Sequence, residues 1–259
     1  MSEFVPKHKK QYGQHFLKES WVLDQIFQRI TVTATSSVFE IGGGAGFLTR
    51  RILAYQPARL WVFEIDPEWA SYLRRQLTDP RLTVLGQNIL DFDFTKLAPQ
   101  QPWLLIANLP YQVTFPILYR LQAHRQYLQA GVIMVQEEVA QKLVKTHGRD
   151  YGYTSLYFQY YFDWELLAKI PPTVFEPAPK VFSRLLYFQP KTELVAIPAP
   201  ERFWQFVKLC FRCPRRTLRN NLAGAHYQLE QLDAQVLGLR AQQMSMSDFL
   251  TVWQVLKSE

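Results

Sequence analysis

The stretch Ser36–Leu53, SSVFEIGGGAGFLTRRIL, decides the fold. Val38–Ile41 is a short apolar run of the kind that forms a buried parallel strand, and Phe47–Ala54 carries a helical pattern. Glu40 within the strand, and Gly42, Gly44 and Gly46 between it and the helix, stand at alternate positions. Glycines at the carboxyl end of a strand let backbone approach a ligand closely, and the N-terminus of the next helix adds hydrogen-bond donors. The dinucleotide fingerprint G-x-G-x-x-G would need a third glycine at 47, where Phe47 stands. A tight turn without a ligand would use the same glycines.

On either side of this unit, apolar runs and helical patterns alternate. Leu60–Ile65, Leu82–Leu85, Leu104–Ala107 and Val132–Val135 read as further buried strands. Pro67–Leu77 reads as a helix, with Asp66 before Pro67 as its start signal. The alternation predicts an α/β fold with a Rossmann-like, doubly wound sheet. Ser20 is expected to cap a helix carrying Val22, Ile26, Phe27 and Ile30 on one face. Tyr153–Phe162 suits helix or strand equally. Pro171–Val181 reads as a loop, Leu185–Phe188 as a last strand and Lys191–Pro200 as a linker. Phe203–Phe211, Glu230–Leu239 and Ser247–Leu256 have helical character. The expected division is therefore a large domain over 1–190 and a small helical domain over 191–259.

Composition narrows the class. The 259 residues include 29 Lys and Arg against 22 Asp and Glu, a formal net charge of +7, which favours a polyanionic partner. No run approaches the roughly 18 apolar residues that span a bilayer, and the start lacks the apolar centre of a secretory signal. A monomer in the cytoplasm, away from membranes, is the expectation. Cys210 and Cys213 are the two cysteines; with no second ligand pair nearby they read as ordinary thiols, and no metal is expected.

The spacing E-x-G-x-G-x-G resembles motif I of class I methyltransferases. In such a sheet Glu64, at the end of the second strand, can accept both hydroxyls of a ribose. Ile65 beside it can pack an adenine face, and Asn88, after the third strand, can accept from the adenine amino group. A solvated acid and a turn asparagine are the plainer readings of Glu64 and Asn88. Strand four ends in Asn108-Leu109-Pro110-Tyr111, the most specific motif in the chain. An aromatic amine is a poor nucleophile because its lone pair is delocalised into the ring. The Asn108 side-chain oxygen and the Leu109 carbonyl can both accept its hydrogens, drawing the nitrogen towards tetrahedral geometry. Pro110 stiffens the turn, and Tyr111 offers a ring to an extruded base, a contact worth about 1–3 kcal/mol. Phe175 is expected as the second wall of that base pocket, with a buried core phenylalanine as the alternative.

With these segments in place the chain closely resembles the bacterial small-subunit ribosomal RNA adenine dimethyltransferases. The likeness runs from Tyr12 to about Leu256 and is carried by YGQHFL, FEIGGGAGFLT, VFEID, NLPY, MVQEEVAQKL, YGYTSLYFQYY, FEPAPKVFS and RRTLRNNL. It implies S-adenosylmethionine as methyl donor and N6-dimethylation of two adjacent adenines in the 3′-terminal hairpin of 16S rRNA, in the small ribosomal subunit. By the same matching His15, Leu17, Gly42, Gly44, Glu64, Asn88 and Asn108 would line the cofactor. Three departures stand out: Gly43 replaces a usual proline, a loosening of the turn; Asn88 replaces an aspartate; and Gln112–Phe115 replaces the usual continuation of NLPY. The runners-up are the related 23S rRNA dimethyltransferase of the macrolide-resistance type, and an RNA-binding assembly factor with dispensable catalysis. For holding RNA the candidates are the arm Lys7, Lys9 and Lys10 and the cluster Arg212, Arg215, Arg216 and Arg219, read as lying at three- and four-residue spacing on a helix.

Overall fold

The structure, a computed structural model, describes residues 5–256. Its strands are β1 (Phe16–Leu17), β2 (Ser37–Ile41), β3 (Arg59–Phe63), β4 (Leu82–Leu85), β5 (Trp103–Asn108), β6 (Leu128–Gln136), β7 (Phe162–Ile170), β8 (Phe175–Glu176) and β9 (Ser183–Pro190). Seven of them form one sheet in the order β4-β3-β2-β5-β6-β9-β7. β2, β3, β4, β5 and β6 run parallel, as their unbroken apolar runs predict, whereas β9 returns antiparallel along β6. The chain builds outward from β2 through β3 to β4, then returns to the other side of β2 as β5. That reversal opens a crevice at the carboxyl ends of β2 and β5, where open α/β sheets bind ligands.

Three helices frame this crevice: α1 (Ser20–Arg29), α2 (Phe47–Ala54) and α3 (Pro67–Gln76), followed by α4 (Thr114–Ala123) after the fifth strand. Asp66 caps α3 by accepting the Glu68 N–H at 3.0 Å, as its place before Pro67 predicts. Ser20 does not cap α1. It is the first helical residue, and Glu19 holds the cap position without a side-chain bond. The core on one face gathers Val38, Leu60, Val62, Leu104, Ile106 and Val132 with Ile52, Ala70 and Leu73 from the helices. No helix among the described residues is long and apolar enough to cross a membrane.

The chain separates into two compact units. One holds the residues up to Ala140 together with Asp163–Pro190; the other holds Gln141–Phe162 and the residues from Lys191 on. The boundary is therefore discontinuous, not a single cut at 190. The second unit contains α6 (Tyr153–Tyr161), α7 (Pro200–Cys210), α8 (Leu218–Leu222), α9 (Ala234–Gly238) and α10 (Met246–Leu256), while α5 (Glu137–Val144) runs across the division. Tyr153–Phe162 resolves as helix up to Tyr161. Glu230–Leu239 is two short turns, because Asp233 starts a new helix by accepting the Gln235 N–H.

Gly43 has a packing reason that the family's proline would not satisfy. A Cβ there would lie 2.4 Å from Val62 Cγ1 and 2.7 Å from Leu73 Cδ1, both in the buried core, so the packing leaves no room for a side chain at this position. Gly43→Ala is expected to cost about 1–3 kcal/mol by overpacking. Val62→Ala should relieve part of that cost in the double variant, giving a less-than-additive loss in urea unfolding. Strictly additive losses would show that Gly43 and Val62 do not share this space.

Candidate active site

A cavity of about 150 Å³ opens at the carboxyl ends of β2, β3 and β5. Its walls include Gly42, Glu64, Ile65, Asn88, Asn108, Leu109, Pro110 and Tyr111, and the segment 12–16 lines it from the N-terminal side. Most of the sequence-predicted cofactor and base residues thus meet in one place, while Leu17, Gly44 and Phe175 do not line it. Ile65 is 46% exposed, an apolar surface turned towards this space.

Glu64 is the structural pivot at one end of the cavity. Its Oε2 accepts the Gly44 N–H at 2.8 Å and its Oε1 accepts the Asp66 N–H at 2.9 Å. Burial raises its pKa, and these N–H groups oppose the rise. The carboxylate keeps acceptor capacity for a ligand hydroxyl, but Glu64 also holds the glycine turn in shape. Gly44 has φ +49°, and a Cβ on it would come within 2.6 Å of the Phe16 ring, so only glycine fits beneath the N-terminal segment. Gly44 accordingly shapes the pocket from below without lining it.

Asp66 carries the next layer. Lys9 Nζ lies 2.8 Å from its Oδ1 and 3.0 Å from Glu68 Oε1, while Gln14 Nε2 donates to Asp66 Oδ2 at 3.1 Å. Burial works against the Asp66 charge, yet the hydrogen bonds from Lys9, Gln14 and the Glu68 N–H hold its carboxyl below the ordinary range. Lys9 is therefore engaged in an ion pair and is not a free cation of a basic arm. Lys7 is exposed, and the Lys10 side chain lies outside the described residues.

At the other end, Asn108 Nδ2 donates to the His15 carbonyl at 3.0 Å. The Leu109 N–H donates to the Met134 carbonyl at 3.1 Å. Among the described residues neither Asn108 Oδ1 nor the Leu109 carbonyl takes a hydrogen bond, so two acceptors remain at the cavity. Within the departure from the family pattern, Thr114 Oγ1 donates to the carbonyls of Pro110 and Tyr111, both at 3.3 Å, and steadies the NLPY turn. The Tyr111 hydroxyl pairs with Ser183 Oγ at 2.6 Å, and burial raises its pKa.

Several side chains do other work than the sequence suggests. Phe175 is 1% exposed, packs in the hydrophobic core and pairs with Leu17 across the β1–β8 ladder. It is not on the cavity wall, so the core reading replaces the base-wall reading. Instead the His15 ring stacks on Tyr111, 5.7 Å between centroids, and its Nδ1 bonds the Pro177 carbonyl at 2.7 Å. Leu17 lies in a smaller adjoining cavity of about 40 Å³ that also touches Gly42 and Asn108. Asn88 Oδ1 accepts the Leu90 N–H at 3.0 Å and its Nδ2 donates to Asp91, a turn-capping role that leaves one lone pair for a ligand.

The residues 5–257 match the family model described as ribosomal RNA adenine dimethylase. This chain belongs to that family. It is 35% identical over 257 residues to the ribosomal RNA small subunit methyltransferase A of Syntrophotalea carbinolica, covering 96% of this chain and 97% of the relative. The protein of the same name from Chlorobium phaeobacteroides is 33% identical, covering 96% and 91%. In fold it is similar to a dimethyladenosine transferase from Plasmodium falciparum, with TM-score 0.79, 20% identity, and 93% and 96% of the two chains covered. The 23S rRNA methyltransferase ErmE gives TM-score 0.72 at 24% identity, covering 94% and 100%. The expected methyltransferase fold is thus confirmed.

In the helical unit of this adenine dimethylase the arginine cluster is not one helix. α7 stops at Cys210, Arg212–Thr217 is a turn, and α8 begins at Leu218. Pro214 sits within this turn, so the three- and four-residue spacings have no helix to act on. The turn is tied together by Asn221, which is 1% exposed. Its Nδ2 lies within hydrogen-bond reach of the Cys210, Cys213 and Arg216 carbonyls, and its Oδ1 accepts the Cys213 N–H at 3.0 Å. Arg212, Arg215, Arg216 and Arg219 are all exposed. Arg212 and Arg215 join Lys142, Arg149 and Lys208 around an open cavity of about 1000 Å³ within this unit. Both cysteines are free thiols, and among the described residues no group of side chains could hold a metal.

Glu40, quoted in the glycine motif but assigned no role there, is the residue that sequence reasoning missed. It is 1% exposed and lines the smaller cavity; the Thr49 hydroxyl lies beside it, but among the described residues neither carboxylate oxygen makes a well-formed hydrogen bond or meets a cation. Burial, with Glu64 nearby, pushes its pKa up to about 8. A folded-state pKa above the unfolded value means stability that is complete below about pH 4.5 and lost as pH rises to about 8. Urea unfolding at pH 5 and pH 8 should therefore show wild type losing more stability than Glu40→Gln, which removes the titration. Equal losses in the two proteins would mean that Glu40 ionises freely in the fold.

Proposed function

We propose that this family member transfers methyl groups from S-adenosylmethionine to N6 of two adjacent adenines in the 3′-terminal hairpin of 16S rRNA, in the small ribosomal subunit. The observation that carries the reading is the pair of free acceptors, Asn108 Oδ1 and the Leu109 carbonyl, at the wall of a cavity with a carboxylate end. The residues present fit the cofactor. Ile65 offers an apolar face for its adenine, Glu64 keeps acceptor capacity for its ribose hydroxyls, and the orphan carboxylate of Glu40 suits its ammonium group. When bound, the cofactor supplies a methyl group made electrophilic by the sulfonium.

The protein's part is positioning. Asn108 Oδ1 and the Leu109 carbonyl each accept one hydrogen of the adenine amine, which frees its lone pair from the ring. Held by these two acceptors, N6 would present its lone pair to the methyl group that the bound cofactor would supply, and the alkylated nitrogen would then shed its proton. No general base of shifted pKa is required, and holding the reactants in line supplies the rate. Tyr111, braced by Ser183 and faced by His15, offers its ring to the base. Removing the base from its stack costs a few kcal/mol, which phosphate contacts elsewhere must offset. Lys7 and the exposed Arg212, Arg215, Arg216 and Arg219 are suited to that role, and the neighbouring Lys142, Arg149 and Lys208 enlarge the basic surface of the helical unit.

Asn108→Ala should abolish transfer of labelled methyl groups to unmethylated small subunits while leaving subunit affinity near wild type. Retention of more than about a tenth of wild-type turnover, a loss of under about 1.4 kcal/mol, would remove Asn108 from the chemistry.

A further inference from the structure

The segment Lys9–Leu17 contains one short turn and the two-residue strand β1, too little to hold its own shape. Yet the His15 carbonyl in it sets the catalytic amide. That carbonyl can only accept, so it takes the Asn108 N–H and leaves the amide oxygen for the target amine. A flipped amide would turn a donor towards the hydrogens of the adenine amine. The fit of Asn108 therefore depends on whatever fixes His15.

Two anchors fix it. After His15, β1 pairs with β8 in the register Phe16↔Glu176 and Leu17↔Phe175, and the Lys18 N–H donates to the Val174 carbonyl. Before His15, Asp66 gathers the segment: Lys9 Nζ and Gln14 Nε2 each take one of its oxygens, and Gln14 Oε1 accepts the Lys9 N–H at 2.7 Å. Exposed ion pairs contribute little, but the Asp66 side chain is fully buried and the Lys9 side chain is only 28% exposed. Asp66 also follows Glu64 by two residues and gives it an N–H, so the anchor is continuous with the cofactor end of the cavity.

We propose that Lys9, Gln14 and Asp66 form a positioning device for the methyl transfer, a clasp that holds the His15 carbonyl against Asn108 and so aims the Asn108 oxygen at the substrate nitrogen. The inference rests on the methyltransferase reading above. It makes Lys9 a positioning residue and not a phosphate contact. It also predicts that loosening the clasp lowers the chemical rate even when both substrates saturate, since small displacements of reacting groups cost rate steeply.

The test is single-turnover methylation of unmethylated small subunits at saturating S-adenosylmethionine and subunit, for wild type, Lys9→Met, Gln14→Leu and Lys9→Arg. Thermal unfolding of each variant is followed in parallel. The clasp predicts a fall of about tenfold or more for Lys9→Met and for Gln14→Leu in folded protein. Lys9→Arg, which keeps a cation for Asp66 and Glu68, should recover most of the rate. The proposal is overturned if Lys9→Met keeps the wild-type saturated rate and loses only subunit affinity, with a flatter salt dependence, the behaviour of a phosphate contact. It is also overturned if Lys9→Arg is as slow as Lys9→Met while both remain folded. A wild-type protein that transfers no methyl group would instead remove the underlying reading.

Discussion

Two backbone N–H groups converge on the Glu64 carboxylate, and much of the site depends on that convergence. One comes from Gly44 after β2 and the other from Asp66 before α3, so a single side chain ties the ends of two neighbouring strands. The expectation that Glu64 serves only a ligand in a cleft is therefore incomplete: replacing it would disturb the glycine turn as well. From Asp66 the same network continues through Lys9 and Gln14 to the N-terminal segment, and from His15 in that segment to Asn108. The Glu64 and Asn108 ends of the cavity are thus joined through hydrogen bonds and the N-terminal segment.

The fold was legible where a strand carries an apolar run, buried throughout in the central β2 and at fewer positions in the edge strand β4, whose Thr83 is exposed. β2, β4, β5 and β6 each contain a predicted apolar run, and β3 stops two residues short of the predicted end because Glu64 and Ile65 already face the cavity. β7 escaped because FDWELLAKI mixes charged and apolar residues without a clear period and is only partly buried. The arginine cluster was misread as helix because spacing was counted without weighing Pro214, which the sequence plainly carries. Asn221 had no local signal, since its four partners come together only when the turn closes.

Within the site, the motif residues were legible as a set, but their division of labour was not. Asn108, Leu109, Glu64 and Gly42 meet as expected because each stands at a strand end of one crevice. Phe175 and Asn88 each carried a plainer reading, a core phenylalanine and a turn asparagine; the structure puts the first in the core and has the second cap a turn while still lining the cavity. Lys9 read as one cation among several, and only the distance to Asp66 sets it apart. Glu40 shows the reverse: an acid within an apolar strand should have been suspect, because burying an unpaired carboxylate costs several kcal/mol unless it takes a proton or finds a cation. Its lack of a partner is the feature of the cavity that most calls for a ligand.

The central claim is that the two free acceptors serve the amine of an adenine in small-subunit rRNA. The most direct measurement is nucleoside analysis after purified protein and labelled S-adenosylmethionine are incubated separately with unmethylated small and large ribosomal subunits. The account predicts label in N6,N6-dimethyladenosine from the small subunit, mapping to two adjacent adenines near the 3′ end of its RNA, and none from the large. Label on a ring nitrogen or a ribose, or on the large-subunit RNA alone, would contradict it.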